Sequence, residues 1–495
     1  MSDSNARADV VIVGSGAGGV AAALPLVESG RRVVMLERGQ PLPRDGSTLD
    51  VGRVVERGEF LAHEPWRDGD GRVFEPEEHF NVGGKTKWYG AALFRFDPAE
   101  FGADPGHGCP AWPISHEELA PFYAKAEALL GVHSFAVEPD LDWILARLRR
   151  VAARWHAAPM PMGLSAEIIR YPDEASHFDG FASARGLKGE AESRGLCRLS
   201  DRANFDLVTG VEVATFLGAP ADPHRVIGVE ATDGRRWQAD RVVLAAGALH
   251  SPRLLARYLD RSGLAASLPA ADAVGRYLKL HALSAMVSFS WRPMRDVLRK
   301  TMVLTHPEFP HSTAQPLGFD ADLIARLIPR AVPRAVARCL ARRAYGFFLQ
   351  TEDGSSPENR VMERAVAGGV ERVMDYRLER SSAAAREHRR FVRAMRRAFL
   401  SAGMPTVTRR IAISGTAHAC GTLAAGSDPR RSVVGADGRV HGLRGLYVAD
   451  GSVLSRISRV NPALTIFAWG LRLGTLLAGH DGDGVGRAAD ANHEE

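Results

Sequence analysis

The chain has 495 residues, 45% hydrophobic and 24% charged, an ordinary composition for a soluble folded protein with room for two domains or one large composite domain. Its formal charge of +5 is slight for this length. No basic stripe or recognisable module accompanies it, which argues against nucleic acid as a partner. Nearly all the positive charge is arginine, since lysine stands only at 85, 87, 125, 188, 279 and 300.

The cysteines Cys109, Cys197, Cys339 and Cys420 have neither metal-type spacing nor the density that staples a fold, so a reduced, cytoplasmic setting is expected. The start, Met1 to Asn5, lacks the basic and apolar regions of a secretory signal. The most apolar stretch, Leu464 to Gly479, is interrupted by Arg472 and is too short to span a bilayer.

In chain order, Asp9-Val10-Val11-Ile12-Val13 reads as a buried parallel strand. Glycines follow at once, then a helix to about Ser29 and a strand over Arg32–Leu36 ending at Glu37. Pro25 is expected to kink or shorten that helix. Residues 40–75 lack periodicity and read as an extended excursion, and 81–90 as a second glycine-bearing loop. Ser115, with Glu118 three residues on, caps a helix reaching about Leu130. Strands are expected over Val208–Val213, Val226–Ala231 and Trp237–Ala246, the last two joined by a hairpin at Thr232-Asp233-Gly234. Ser251-Pro252 reads as a helix start with a serine cap. Residues 320–345 form a basic helical region interrupted by Pro329 and Pro333, and 384–402 a helix with its apolar face at Phe391, Met395, Phe399 and Leu400. Residues 481–495 read as a disordered tail.

The segment Gly14-Ser15-Gly16-Ala17-Gly18-Gly19 closes a strand, opens a helix and is followed by an acid at the end of the next strand. That is the context in which a glycine fingerprint binds a dinucleotide. Gly14 allows the tight turn, Gly16 the approach of the pyrophosphate, and Gly19 close helix–strand packing. Helix amides then face the phosphates, and Glu37 is placed for ribose hydroxyls. The fingerprint serves NAD and FAD alike. Two further glycine-terminated strands, Arg241–Gly247 and Leu446–Gly451, lie far along the chain and favour a large cofactor enclosed by distant segments.

These residues resemble the glucose–methanol–choline (GMC) oxidoreductase family over about residues 8–480. The resemblance is carried by Gly14–Glu37, the loop Gly83–Gly90, the segments Gly247–Leu255 and Gly445–Ser452, and the pair His418 with Asn461. Trp112-Pro113-Ile114-Ser115 and Glu358-Asn359-Arg360-Val361 are similar to its bacterial, sugar-oxidising members. The resemblance implies an α/β fold: a Rossmann-like FAD-binding domain from residues 8–60, 195–275 and 410–480, and an α+β substrate domain from 61–194 and 276–409. It implies that Val211 lies near the adenine, Asp450 near the ribityl–pyrophosphate, and Gly84, Thr86 and Tyr89 against the flavin, with Ala17, Gly247, Asn461 and Thr465 completing the FAD contacts. Trp88 stands where some members carry a flavin-linking histidine, so FAD is expected to be non-covalent. Leu423-Ala424-Ala425-Gly426 departs from the usual continuation after Gly421-Thr422, so the substrate pocket is not carried over.

Oxidation of an alcohol removes a hydroxyl proton and a carbon-bound hydride. A histidine takes such a proton near neutral pH, and an asparagine amide holds the oxygen without competing for it. The expectation is His418 as base, Asn461 as positioning donor and the flavin as hydride acceptor. The substrate class is a sugar-like, polyol or natural-product alcohol, and the electron acceptor (oxygen, quinone or protein) is open. The alternatives are a lyase-like relative and a non-catalytic FAD-stabilised partner subunit. His281 is either a pocket residue or a structural one, and the basic region 320–345 reads as a solvated face rather than a membrane-surface helix. No metal site is expected.

Overall fold

The computed structural model describes residues 7–479 except 330 and 368. The expected tail at 481–495 and the start, residues 1–5, lie outside the described residues.

Strand β1 (Ala8–Val13), helix α1 (Ala17–Glu28) and strand β2 (Val33–Glu37) form the expected unit. β1 pairs in parallel with β2 on one side and with strand Arg236–Leu244 on the other, Val13 standing beside both Leu36 and Leu244. With both neighbours present, Val10, Val11 and Ile12 are 0% exposed, which is why this run needs no polar alternation. Phe205–Thr209 extends the sheet in parallel beyond β2, and Leu446–Val448 joins in parallel to Arg236–Leu244. The carboxyl ends of these strands share one edge, the edge at which such sheets take ligands.

The C-terminal helix Ala463–Gly479 lies along α1. Their backbones touch closely. A methyl on Gly470 would stand 2.6 Å from the Gly18 carbonyl oxygen, and one on Gly474 would stand 2.3 Å from that of Ala22 and 2.6 Å from the ring of Pro25. Pro25 does not end α1, which continues to Glu28; its ring supplies part of the surface against which Gly474 packs.

A second sheet, antiparallel at every pairing, is ordered Thr406–Arg410, Ala282–Phe289, Ala344–Thr351, Ser312–Pro316, Met302–Thr305, His156–Pro159. Helix Ser382–Ser401 covers it, burying Phe391, Met395 and Phe399 as their spacing predicts; Leu400 instead stays 65% exposed. A small third sheet joins Trp66–Asp68 and Val73–Phe74 to the hairpin Arg360–Val366 and Gly369–Asp375, so the excursion at 40–75 is partly ordered.

Three expectations need correction. The strand placed at 208–213 is two strands, Phe205–Thr209 and Val213–Ala219, because Gly210 turns at φ 70° between them. The basic region is two short helices, Ala321–Leu327 and Arg334–Ala341. Ser251 does not cap its helix; His250 holds the cap position, and the Ser251 hydroxyl donates to Asp450. The hairpin between Asp222–Ala231 and Arg236–Leu244 and the Ser115 cap on His116–Leu130 form as read. No described helix is long and apolar enough to cross a membrane.

Candidate active site

A cavity of about 660 Å³ runs from the ligand edge of the first sheet to the second sheet. Its size falls within the range of small-molecule and cofactor sites, roughly 300–1,000 Å³. At one end lie Gly14, Ser15, Gly16, Ala17 and Glu37. Gly14 turns at φ 105°, and a methyl there would sit 2.3 Å from the Ala245 carbonyl oxygen. A methyl on Gly16 would meet nothing within 4 Å, because its open side faces the cavity. Gly19 lies behind this wall, against the Gly14 carbonyl. The cradle therefore has the narrow backbone turn and the open side that a pyrophosphate requires.

Glu37 is held from both oxygens. One accepts from the Ser15 amide at 3.0 Å and the Ser15 hydroxyl at 2.7 Å, and the other from the Gly39 amide at 2.8 Å. Val211, whose amide donates to the Glu37 carbonyl at 2.9 Å, lines the cavity beside it. Asp450 ties the other glycine-terminated strands together, accepting from the Gly247 amide and the Ser452 amide, both at 2.8 Å, and from the Ser251 and Ser452 hydroxyls. Burial raises its carboxyl above the usual range against the opposing effect of these bonds.

The loop 81–90 closes over the middle. A methyl on Gly84 would lie 3.1 Å from Gly16 Cα, which places the loop directly on the nucleotide turn. Thr86 donates to the Gly83 carbonyl at 2.6 Å and accepts from the Ala191 amide at 3.1 Å, and the Tyr89 hydroxyl donates to the Gly189 carbonyl. Trp88 donates to Asn81 Oδ1 at 2.9 Å and stacks on His79, with centroids 4.5 Å apart at 17°. Burial lowers the His79 imidazole to about 4. Thr465 does not line the cavity; it is buried, 2.8 Å from the Tyr123 hydroxyl.

At the far end, His418 and Asn461 meet although 43 residues separate them: Asn461 Nδ2 stands 3.2 Å from His418 Nε2. Gln315 Nε2 donates to Asn461 Oδ1 at 2.7 Å, which turns the Asn461 amide nitrogen towards the imidazole. His418 lines the cavity, and burial, followed by the neighbouring His281, Lys300 and Lys85, holds its pKa well below the usual 6.5. A neutral imidazole whose lone pair lies beside an amide donor can accept a proton from a hydroxyl that takes the place of the direct amide contact.

Several residues here were not found from sequence. Gln315 and Gln350 reach the cavity from the second sheet, and Phe348, Phe319 and the 2.9 Å pair Lys300–Asp179 complete its wall. No sequence signal marked them; Gln315 lies in Ser312–Pro316, a short strand with three polar residues that is nevertheless wholly buried. His281 is also buried, but behind His418 rather than in the cavity wall.

Two sequence profiles described as GMC oxidoreductase match residues 106–283 and 361–470, and one described as FAD binding domain matches residues 9–45. The chain belongs to the GMC oxidoreductase family. As a GMC oxidoreductase it is an FAD-dependent enzyme, and the glycine cradle, the clamped Glu37 and the size of the cavity fit that cofactor. It is 29% identical to the 6'''-hydroxyparomomycin C oxidase of Streptomyces lividus over 526 residues, covering 95% of this chain and 91% of that one. It is also 29% identical to the paromamine 6'-oxidase of Streptomyces fradiae, with the same coverage. Among solved structures, pyridoxine 4-oxidase from Mesorbium loti superposes with a TM-score of 0.65 at 19% identity, over 94% of this chain and 98% of that one, a likeness of fold.

Proposed function

We propose that this GMC oxidoreductase oxidises the CH–OH group of a sugar-like, polyol or natural-product alcohol to an aldehyde or ketone. His418 is the general base and Asn461 the donor that holds the alcohol oxygen. FAD, bound without a covalent link, supplies an acceptor for the hydride. The observation that carries this reading is the convergence of His418 Nε2 and Asn461 Nδ2 on one wall of the cavity whose other end is the nucleotide cradle. The two full-length oxidases named above support a polar, multiply hydroxylated substrate.

The residues have separable tasks. Asn461, oriented by Gln315, fixes the oxygen, and His418 Nε2 receives the hydroxyl proton as the C–H bond breaks. The apolar wall formed by Leu283, Phe319 and Phe348 excludes water from that step. Residues 8–60, 195–275 and 410–480 are the FAD-binding part, and 61–194 and 276–409 are the substrate-binding part, with the loop 81–90 against the flavin. The unpaired cysteines accord with operation in a reducing cytoplasm.

The test is anaerobic flavin bleaching across sugars, polyols and amino sugars, with His418→Ala alongside. The wild type should bleach with at least one class. The variant should keep FAD and reduce it slower by about 10²–10⁴-fold, the usual contribution of a positioned base. Native-rate bleaching by His418→Ala removes the base assignment. Failure of every alcohol to bleach the wild type removes the oxidase reading.

A further inference from the structure

His281 Nδ1 lies 2.9 Å from His418 Nδ1, and its Nε2 lies 2.8 Å from the Ser458 carbonyl oxygen. A carbonyl oxygen only accepts, so the hydrogen in the second contact belongs to His281 Nε2. The neutral His281 ring then has a bare lone pair at Nδ1, and the hydrogen in the first contact must come from His418 Nδ1. That leaves His418 Nε2 without a hydrogen, facing the Asn461 amide 3.2 Å away. One carbonyl at the end of the row thus sets the direction of every bond in it: Asn461 donates to His418, His418 to His281, and His281 to Ser458.

We propose that His281 is a positioning residue that locks the base His418 in its Nδ1–H tautomer, leaving the Nε2 lone pair on the Asn461 side, free for the alcohol that displaces the Asn461 contact. The inference rests on His418 being the base. The other tautomer would present an N–H to the hydroxyl and could not take its proton.

The surroundings show that the fold holds this arrangement against local preference. His281 and Ser458 both have left-handed backbones, φ 66° and 65°, which residues with a Cβ seldom adopt unless neighbours impose it. The buried Asp353 carboxylate accepts from the Leu280 amide at 2.9 Å, the His281 amide at 3.3 Å and the Tyr376 hydroxyl at 2.8 Å. Glu352 accepts from the Ser458 amide at 3.2 Å, and Glu100 takes the Ser458 hydroxyl at 2.7 Å. Both ends of the His281–Ser458 bond are therefore fixed by buried carboxylates. The two imidazoles meet edge to face, at 78° and 5.0 Å between centroids, so the His418 lone pair cannot swing away without breaking the chain. His281 can support the neutral ring because burial holds its pKa below 6.5, against the opposing pull of Asp353.

The test combines a spectrum with a rate. In ¹⁵N-histidine-labelled holoenzyme without substrate, with His418→Ala used to assign the signal, His418 should show a protonated Nδ1 and an unprotonated Nε2. His281→Leu should give a mixed tautomer population, keep its FAD and reduce it at least ten-fold more slowly. His281→Asn restores an acceptor oxygen near Nδ1 and should recover most of the rate and the single tautomer. A wild-type spectrum with His418 protonated at Nε2 overturns the proposal even if the Leu variant does not fold. So does a folded Leu variant with native rate and native tautomer. If His418→Ala itself reduces at the native rate, the base assignment fails. If His418→Ala is slow and His281→Leu is native, only the lock fails.

Discussion

Removing the charge from Glu352 should cost the protein about 3 kcal/mol and loosen the backbone at Ser458, whose amide it accepts from. Glu352 is 0% and Arg456 3% exposed, and they form a two-pronged pair at 3.0 and 2.7 Å. Burial alone would raise the Glu352 carboxyl, but Arg456 more than offsets this and holds it below the usual range. Breaking such a pair from one side costs about 3–5 kcal/mol, because the partner charge stays buried. Charge centres about 4 Å apart at an effective dielectric of about 20 give a Coulomb attraction of roughly 4 kcal/mol, in agreement. Glu352→Gln keeps one acceptor oxygen and so belongs at the lower end. Urea unfolding of the holoprotein, read by tryptophan fluorescence and by flavin release, measures it. The double variant Glu352→Leu/Arg456→Met removes both charges and should be less destabilised than Glu352→Gln alone. A loss below about 1 kcal/mol in Glu352→Gln, or a double variant worse than the single, would falsify the reasoning.

Gly18→Ala places a methyl 1.4 Å from the Ala449 carbonyl oxygen, with backbone on both sides. Overpacking of about 1–3 kcal/mol should push α1 off Leu446–Val448 and weaken FAD binding at least ten-fold, as read by flavin fluorescence titration. His388, bonded to Ser284 and Thr351 at 2.9 Å each, is lowered by burial to about 3. The unfolded chain takes up that proton near pH 6.5 and the folded one does not, so stability falls as pH drops from 6.5 towards 3. By pH 4.5 the loss is about 2.5 kcal/mol, and denaturation curves of His388→Gln should show a shallower decline over that window. If, as the family resemblance implies, Trp88 replaces the flavin-linking histidine of some members, acid precipitation should release all the flavin to the supernatant; a yellow pellet would contradict non-covalent binding.

The nucleotide end of the molecule was legible because its requirements are local. A glycine that must turn at φ 105° and an acid at the end of the next strand stand within one β-α-β unit, and sequence shows both. The His418–Asn461 pair was legible only through resemblance, since nothing in the spacing reports that Gln315, from another sheet, orients the amide. His281 could not be resolved from sequence, because its meaning lies in which atoms its two nitrogens face. The use of Pro25 was hidden for a related reason. Its cost to α1 is a local property, but its use against Gly474 depends on a helix more than 400 residues away.

That last contact also dictates when the enzyme can acquire its prosthetic group. The first β-α-β unit leaves the ribosome early, yet the helix that braces it is made after some 435 further residues, roughly 20–90 s later at ordinary elongation rates. Until then α1 exposes the apolar flank later covered by Ala463–Gly479. Loading is therefore an event that follows synthesis of that helix, and nascent chains halted before about residue 460 should be wards of chaperones, colourless and quickly degraded.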